Sequence, residues 1–333
     1  MISPSIDKAL EKLNTLIQTD AAGRGLDWGE PSLFSCQKDD FAACAHHLAA
    51  HPSPRLLIIT GFPIALAEPP GTSETDGPPG ALFLAETAFR LGHQAVLAAD
   101  GTALPALRLG LTQRGLQRDI PTFDLSSLPR QPDKQTAALK RWHGDFTHLI
   151  SIERAGPTHT LETFQAAHPG ADTSRLDKEL PESARGQAFS MKGADLGAWN
   201  FPAHGLFENP DPDCLTIGIG DGGNELGMGR AGWPLIAERI PRGGAIACRV
   251  TTHRLIVCGV STWGGWALGA GWAMARGKVP QWLEPGREQA LLSLMVQKAP
   301  LVDGVTGRKL PTIDGLAWYH HARLIQAILQ VVR

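Results

Sequence analysis

No two cysteines stand in a CxxC spacing, and the five present (Cys36, Cys44, Cys214, Cys248 and Cys258) are an odd number. Neither a thiolate zinc site nor a disulfide framework is signalled, so reduced thiols in a cytoplasmic protein are expected. HExxH, GxxxxGKS/T and GxSxG are missing too, which removes the readiest signatures of zinc proteolysis, nucleotide hydrolysis and α/β-hydrolase chemistry. A surplus of positive charge is lacking: 31 Lys+Arg face 33 Asp+Glu, for a formal net charge of −2. No electrostatic footprint for nucleic acid follows, and the nine tryptophans are scattered rather than grouped as a stacking platform. What is there is 43% hydrophobic residues, with 37 glycines and 25 prolines in no short repeat. That composition suits a folded, loop-rich enzyme better than a rod or a disordered chain.

One uncharged segment, Leu255 to Ala275 between Arg254 and Arg276, is long enough to cross a bilayer and holds Gly265 and Gly269 in GxxxG spacing. Its middle, Ser261-Thr262-Trp263-Gly264-Gly265, reads as a turn between a buried strand over 255–260 and a glycine-tolerant helix over 266–275. No membrane span is expected. The first helix opens on Ser3-Pro4 and sets Ile6, Leu10, Leu13 and Ile17 on one stripe. It mixes Asp7, Lys8, Glu11 and Lys12 among the apolar positions, unlike a secretory leader.

A second helix is expected near 40–50. From Arg55 the pattern becomes strand, loop, helix, repeated: apolar runs at 56–59, 95–97, 148–152, 215–219 and 255–258 each stop at a turn or a polar residue. Helices fit 80–91, the stretch after Gly223, and 313–332, and a further short strand fits 245–250. Continuous apolar strands alternating with helices predict an α/β fold, a Rossmann-like, mostly parallel sheet with helices on both faces. Residues 1–54 then form a helical segment packed on a main domain over 55–333. The polar, turn-rich stretch 157–212 breaks the rhythm, and reads as an inserted lid, a small subdomain or a surface loop.

Ligands of open α/β sheets bind at the carboxyl ends of the strands. Those exits carry Glu74 and Asp76, Asp100, Glu153 beside Arg154, and Asp221 with Glu225. Acids converging on one cleft repel, and a hard cation such as Mg²⁺ or Mn²⁺ relieves that repulsion. Each acid also has a plain structural role open to it: Asp221 as a helix cap, Asp100 in a turn, Glu153 neutralised by Arg154. The glycines of 218–223 satisfy GxGxxG between a strand and a helix, which leaves dinucleotide binding open, although Asp221 inside that turn would face a pyrophosphate.

Several longer motifs are shared with one family. ETDGPPGA at 74–81 and GIGDGGNELGMG at 218–229, with Thr60-Gly61-Phe62, Glu153-Arg154-Ala155-Gly156-Pro157, Gly259-Val260-Ser261, Trp263-Gly264-Gly265, VDGVT at 302–306 and Asp314-Gly315-Leu316, resemble the D-glutamate cyclase C-terminal domain family. The similarity covers most of the chain, Arg24-Gly25 included. It implies a lyase converting D-glutamate to 5-oxo-D-proline plus water. Longer relatives carry a further hydro-lyase-like region, so a separate hydro-lyase-like protein is an implied partner, beside a homo-oligomer. Three places depart from the family pattern: Ser261-Thr262-Trp263-Gly264 replaces a Ser-Asn-Trp-Gly, Ser190-Met191-Lys192-Gly193 replaces an Asn-Met-Arg-Gly-like segment, losing a bidentate guanidinium, and the segment between Pro157 and Gly186 is longer or different.

On this reading Glu153, Asp221 and Glu225 hold a divalent cation, Mg²⁺ or Mn²⁺, that masks the charge of a substrate carboxylate. Arg154 or Lys192 holds that substrate, and Glu74 or Asp76 carries the proton. Thr60, Gly61, Gly222, Gly223, Asn224 and Ser261 are expected to line the small-molecule site. A metal-dependent hydrolase of a phosphorylated metabolite would use the same acids, and a non-enzymatic ligand-binding or partner subunit is the remaining alternative.

Overall fold

The computed structural model describes residues 4–333, so the expected cap Ser3 lies outside the described residues. Six strands form the main sheet: β1 Arg55–Thr60, β2 Gln94–Ala99, β3 Thr122–Asp124, β4 His148–Ile152, β5 Leu215–Gly220 and β6 Arg254–Val257. All pair in parallel, in the order β3-β2-β1-β4-β5-β6. This is the doubly wound, Rossmann-like order, which reverses direction between β1 and β4. Behind β1 the chain makes a small antiparallel pair, Pro63–Ile64 with Thr72–Ser73.

The helices are, in chain order, α1 Pro4–Ile17, α2 Asp40–Ala50, α3 Pro78–Arg90, α4 Ala103–Arg114, α5 Pro132–His143, α6 Leu161–Ala167, α7 Ser174–Glu179, α8 Gly205–Glu208, α9 Trp233–Arg239, α10 Gly243–Ile246, α11 Ser261–Ala275, α12 Pro285–Lys298 and α13 Trp318–Val331. Strand side chains alternate between the faces. Leu56, Ile58, Ile150, Ile217 and Ile219 bury into the layer that holds α1 to α4 and α11 to α13. Leu57, Ile59, Leu149 and Leu255 bury into the opposite layer, with Leu139, Phe164, Leu176, Phe207 and Ile236. Both faces are covered, which is why the strands read as unbroken apolar runs; each buried Leu or Ile contributes about 1.5–3 kcal/mol.

Much of 157–212 belongs to that second layer, through Phe164, Leu176, Leu180, Leu206 and Phe207. Its 190–192 turn reaches the strand exits instead. Four local expectations are corrected, three of them outside α11. Residues 245–250 are not a strand: α10 ends at Ile246 and irregular chain follows. No helix starts at Gly223; the chain turns there and becomes helical only at Gly229–Ala231 and α9. The last helix begins at Trp318, because Asp314 and Gly315 both take positive φ.

The turn expected at 261–265 is the first part of α11. Its glycines serve close packing: a Cβ on Gly265 would lie 2.8 Å from the Cα of Gly80 in α3. Trp266 and Trp272 are fully buried, and α11 packs on α1, α2, α3 and α13, so the uncharged stretch is a central core helix. Among the described residues no helix is long and apolar enough to cross a membrane. Gly265→Ala is expected to cost about 1–3 kcal/mol by overpacking two backbones, read as a lower urea midpoint at unchanged slope.

Candidate active site

The reversal between β1 and β4 opens a crevice above the strand ends, and α11 points its N-terminus into it. Asp76, carried back over the sheet by the 63–73 hairpin, accepts the backbone N–H groups of Thr262 at 2.8 Å and Ser261 at 2.9 Å. Asp221, just past β5, accepts the same Ser261 N–H at 3.1 Å. Glu153, just past β4, accepts the Ser261 hydroxyl at 2.6 Å. The first turn of α11 thus satisfies its free N–H groups on carboxylates, and its dipole favours their charge. Asp76, Glu153 and Asp221 each offer an oxygen within 4.8 Å of the other two. All three are buried, and an all-oxygen, carboxylate-rich donor set fits a hard divalent ion.

Glu153 has φ +47°. A non-glycine residue in the left-handed region is strained, and such strain gathers at functional sites. Arg24 is a half-buried cation at the site. The Asp20 carboxylate accepts the N–H groups of Arg24, Gly25 and Leu26, closing a turn that presents the guanidinium. That guanidinium lies 2.9 Å from Asp221 and 3.0 Å from Asp314.

Burial pushes the carboxyl groups of Glu74, Glu153 and Asp221 well above the usual range. For Glu74 the charges of Asp314 and Asp76 add to this, and for Glu153 those of Glu225 and Glu74 do. At Asp221 Arg24 pulls the other way. Burial and Asp314 raise Asp76 to about 6, while hydrogen bonds from Thr262 and Gly77 hold it down.

These groups meet a cavity of about 200 Å³, below the roughly 300–1,000 Å³ of drug-sized pockets and so sized for a small metabolite. Arg24, Glu74, Glu153, Asp221, Glu225 and Asp314 form its polar side; Phe62, Ile64, Leu66, Met191 and Val305 form an apolar wall.

The crevice separates the residues singled out by sequence. Glu74, Glu153, Lys192, Asp221, Asn224 and Glu225 line the cavity. Lys192 is exposed and donates to the Val305 carbonyl at 3.0 Å. Asp76 is buried and does not line the cavity itself, but it meets the lining residues Glu153 and Asp221. Glu225 stands outside that trio: its Oε1 accepts the N–H groups of Asp221 at 3.0 Å and Gly222 at 2.6 Å. The two amides that would cradle a pyrophosphate are spent there, which removes the basis of the dinucleotide reading. Asn224 donates to the Phe189 carbonyl at 2.7 Å and pins the 189–191 segment. Gly222 and Gly223 form the turn, and Ser261 bonds the acids as above.

Arg154 is placed elsewhere. It is fully buried, forked on Asp100, and donates to the carbonyls of Gly61 at 3.0 Å and Phe201 at 2.6 Å. It ties the β1 and β2 exits together, so both it and Asp100 are neutralised away from the cavity. Thr60 is buried, and its hydroxyl has no hydrogen-bond partner among the described residues. Arg24 and Asp314 escaped the chemical reading of the sequence; their only signal was membership of the shared segments Arg24-Gly25 and Asp314-Gly315-Leu316.

The chain matches the family model described as D-glutamate cyclase-like, C-terminal, over residues 13–180 and 178–329. It is 27% identical to the human protein "D-glutamate cyclase, mitochondrial" over 362 aligned positions, covering 99% of this chain and 53% of the human one. The chain therefore spans about half the length of that relative.

Proposed function

The chain belongs to the D-glutamate cyclase-like C-terminal family, and on that footing we propose that it is a lyase that closes a small acidic amino acid into its lactam, D-glutamate to 5-oxo-D-proline plus water. The observation that carries the reading is the trio Asp76, Glu153 and Asp221 beside a cavity of metabolite size.

The reaction forms a C–N bond between the amine and the γ-carboxyl carbon, breaks one C–O bond, and moves two protons from nitrogen to the departing oxygen. A carboxylate resists attack until its charge is masked. Asp76, Glu153 and Asp221 would hold Mg²⁺ or Mn²⁺, which supplies that masking as a Lewis acid. The peptide N–H groups of Ser261 and Thr262 keep Asp76 and Asp221 aimed, and Arg24 fixes Asp221 from the far side. Glu74 lines the cavity outside the trio and serves as proton carrier, relaying the two protons one after the other from nitrogen to the leaving oxygen. The apolar wall of Phe62, Met191 and Val305 holds the methylene chain and keeps water low around the reacting carbon.

The test is direct. Protein stripped with EDTA and reloaded with Mn²⁺ is incubated with D-glutamate, and the product is followed by proton NMR. 5-Oxo-D-proline should form with Mn²⁺, and not with EDTA. Folded, loaded protein that yields no lactam overturns the reading.

A further inference from the structure

We infer that Glu225 is the residue by which the site selects a ligand carrying a cationic amine; this rests on the cavity being the substrate site proposed above. Glu225 is 1% exposed and lines the cavity. Its two carboxylate oxygens have different surroundings. Oε1 takes the N–H groups of Asp221 and Gly222, which fixes the direction of the side chain. Oε2 is buried with no hydrogen-bond donor among the described residues. Gly220 lies beneath it: a Cβ there would sit 3.2 Å from Oε2. A carboxylate oxygen removed from water and left without a donor is costly, and a ligand that brings N–H groups removes that cost.

Asp314 repeats the arrangement. Its Oδ1 is held by Arg24, while its Oδ2 is buried, without a hydrogen-bond partner among the described residues, and belongs to a residue lining the same cavity. An ammonium group offers three donors and no acceptor, which is what an unpartnered carboxylate oxygen at either residue lacks. A carbonyl in its place offers neither oxygen a donor, and a second carboxylate also adds like charge. The pocket therefore reads the amine as well as the carboxylate, and discriminates against oxo acids of the same length and carboxylate spacing.

The experiment is titration calorimetry on Mn²⁺-loaded protein, with D-glutamate and with 2-oxoglutarate as probes. The parent should bind D-glutamate at least about tenfold more tightly than 2-oxoglutarate, as expected for a charge-assisted contact. Glu225→Gln keeps an oxygen for the Asp221 and Gly222 amides but turns an NH₂ toward the cavity, replacing acceptor by donor. Its affinity for D-glutamate should fall at least about tenfold, with 2-oxoglutarate unchanged or tighter. Asp314→Asn makes the same exchange at a position whose φ of +54° asparagine tolerates. It should move the preference in the same direction, and it serves as the test if Glu225→Gln fails to fold. A parent without preference for the amine, or a folded Glu225→Gln that keeps the parental preference, overturns the proposal. Binding is read without turnover: amine preference with no lactam formed would refute the cyclase reading alone, and lactam formed by a protein indifferent to position 225 would refute this one alone.

Discussion

Glu74→Gln is expected to slow lactam formation by about 10²- to 10⁴-fold, the usual worth of one positioned proton carrier, while Mn²⁺ still binds. The side chain is 5% exposed, lines the cavity, and lies outside the Asp76, Glu153 and Asp221 trio. Glutamine preserves shape and can donate and accept hydrogen bonds, yet it cannot hand on a proton. Glu153→Gln should fail differently. It removes one of three anionic oxygens and so weakens the cation, and the lost turnover should be partly restored by excess Mn²⁺. Product formation followed against Mn²⁺ concentration separates the two variants: a saturating curve with a low plateau for Glu74→Gln, a right-shifted curve for Glu153→Gln. A Glu74→Gln protein with the parental plateau would move the proton transfer to another group.

The contrast between these two acids also marks where sequence reasoning stops. Strand-exit logic reaches Glu74, Asp76, Glu153 and Asp221 because a buried parallel sheet declares its strands as unbroken apolar runs, and the residues that end those runs share one edge. It cannot say which way an exit residue turns. Asp100 and Arg154 occupy equivalent exits and neutralise each other beneath the crevice. Glu225 spends one oxygen on backbone amides, a distinction between two atoms of one side chain that no pattern carries. Arg24 and Asp314 come from opposite ends of the chain and meet only in three dimensions. The fold shows the same limits. β3 is Thr122–Asp124, an edge strand too short to form a run. The glycines of 261–265 look like a turn because their reason, the contact with Gly80, lies in another helix.

Stability should depend on pH and cation together, with a sign set by opposing groups. Glu74, Glu153 and Asp221 titrate well above the ordinary carboxylate range in the folded protein, and Asp76 near 6. Unfolded carboxylates titrate near 4. Between those limits the folded state binds more protons than the unfolded one, so these four groups lower stability as pH rises. Buried histidines act oppositely. Desolvation holds His148 near 3 and His159, His204 and His321 near 4, against about 6.5 when unfolded. Their contribution is complete above pH 6.5 and is lost as pH falls toward the folded values. Below pH 6.5 the two sets offset one another; above it the histidines are silent and the acids remain, joined toward pH 8.5 by the thiols of Cys36, Cys44, Cys214, Cys248 and Cys258, which burial also raises. Thermal melts of EDTA-treated protein should therefore be nearly level from pH 5 to 6.5 and fall from 6.5 to 8.5. A divalent cation at pH 8 supplies the countercharge that protons supply at lower pH. At a hundred times its Kd it should add about 2.7 kcal/mol, and the gain should shrink on acidification as protons compete for Asp76, Glu153 and Asp221. Melting temperatures without EDTA dependence and without decline above pH 6.5 would mean that these acids are compensated within the chain, and that the trio has no call on a cation.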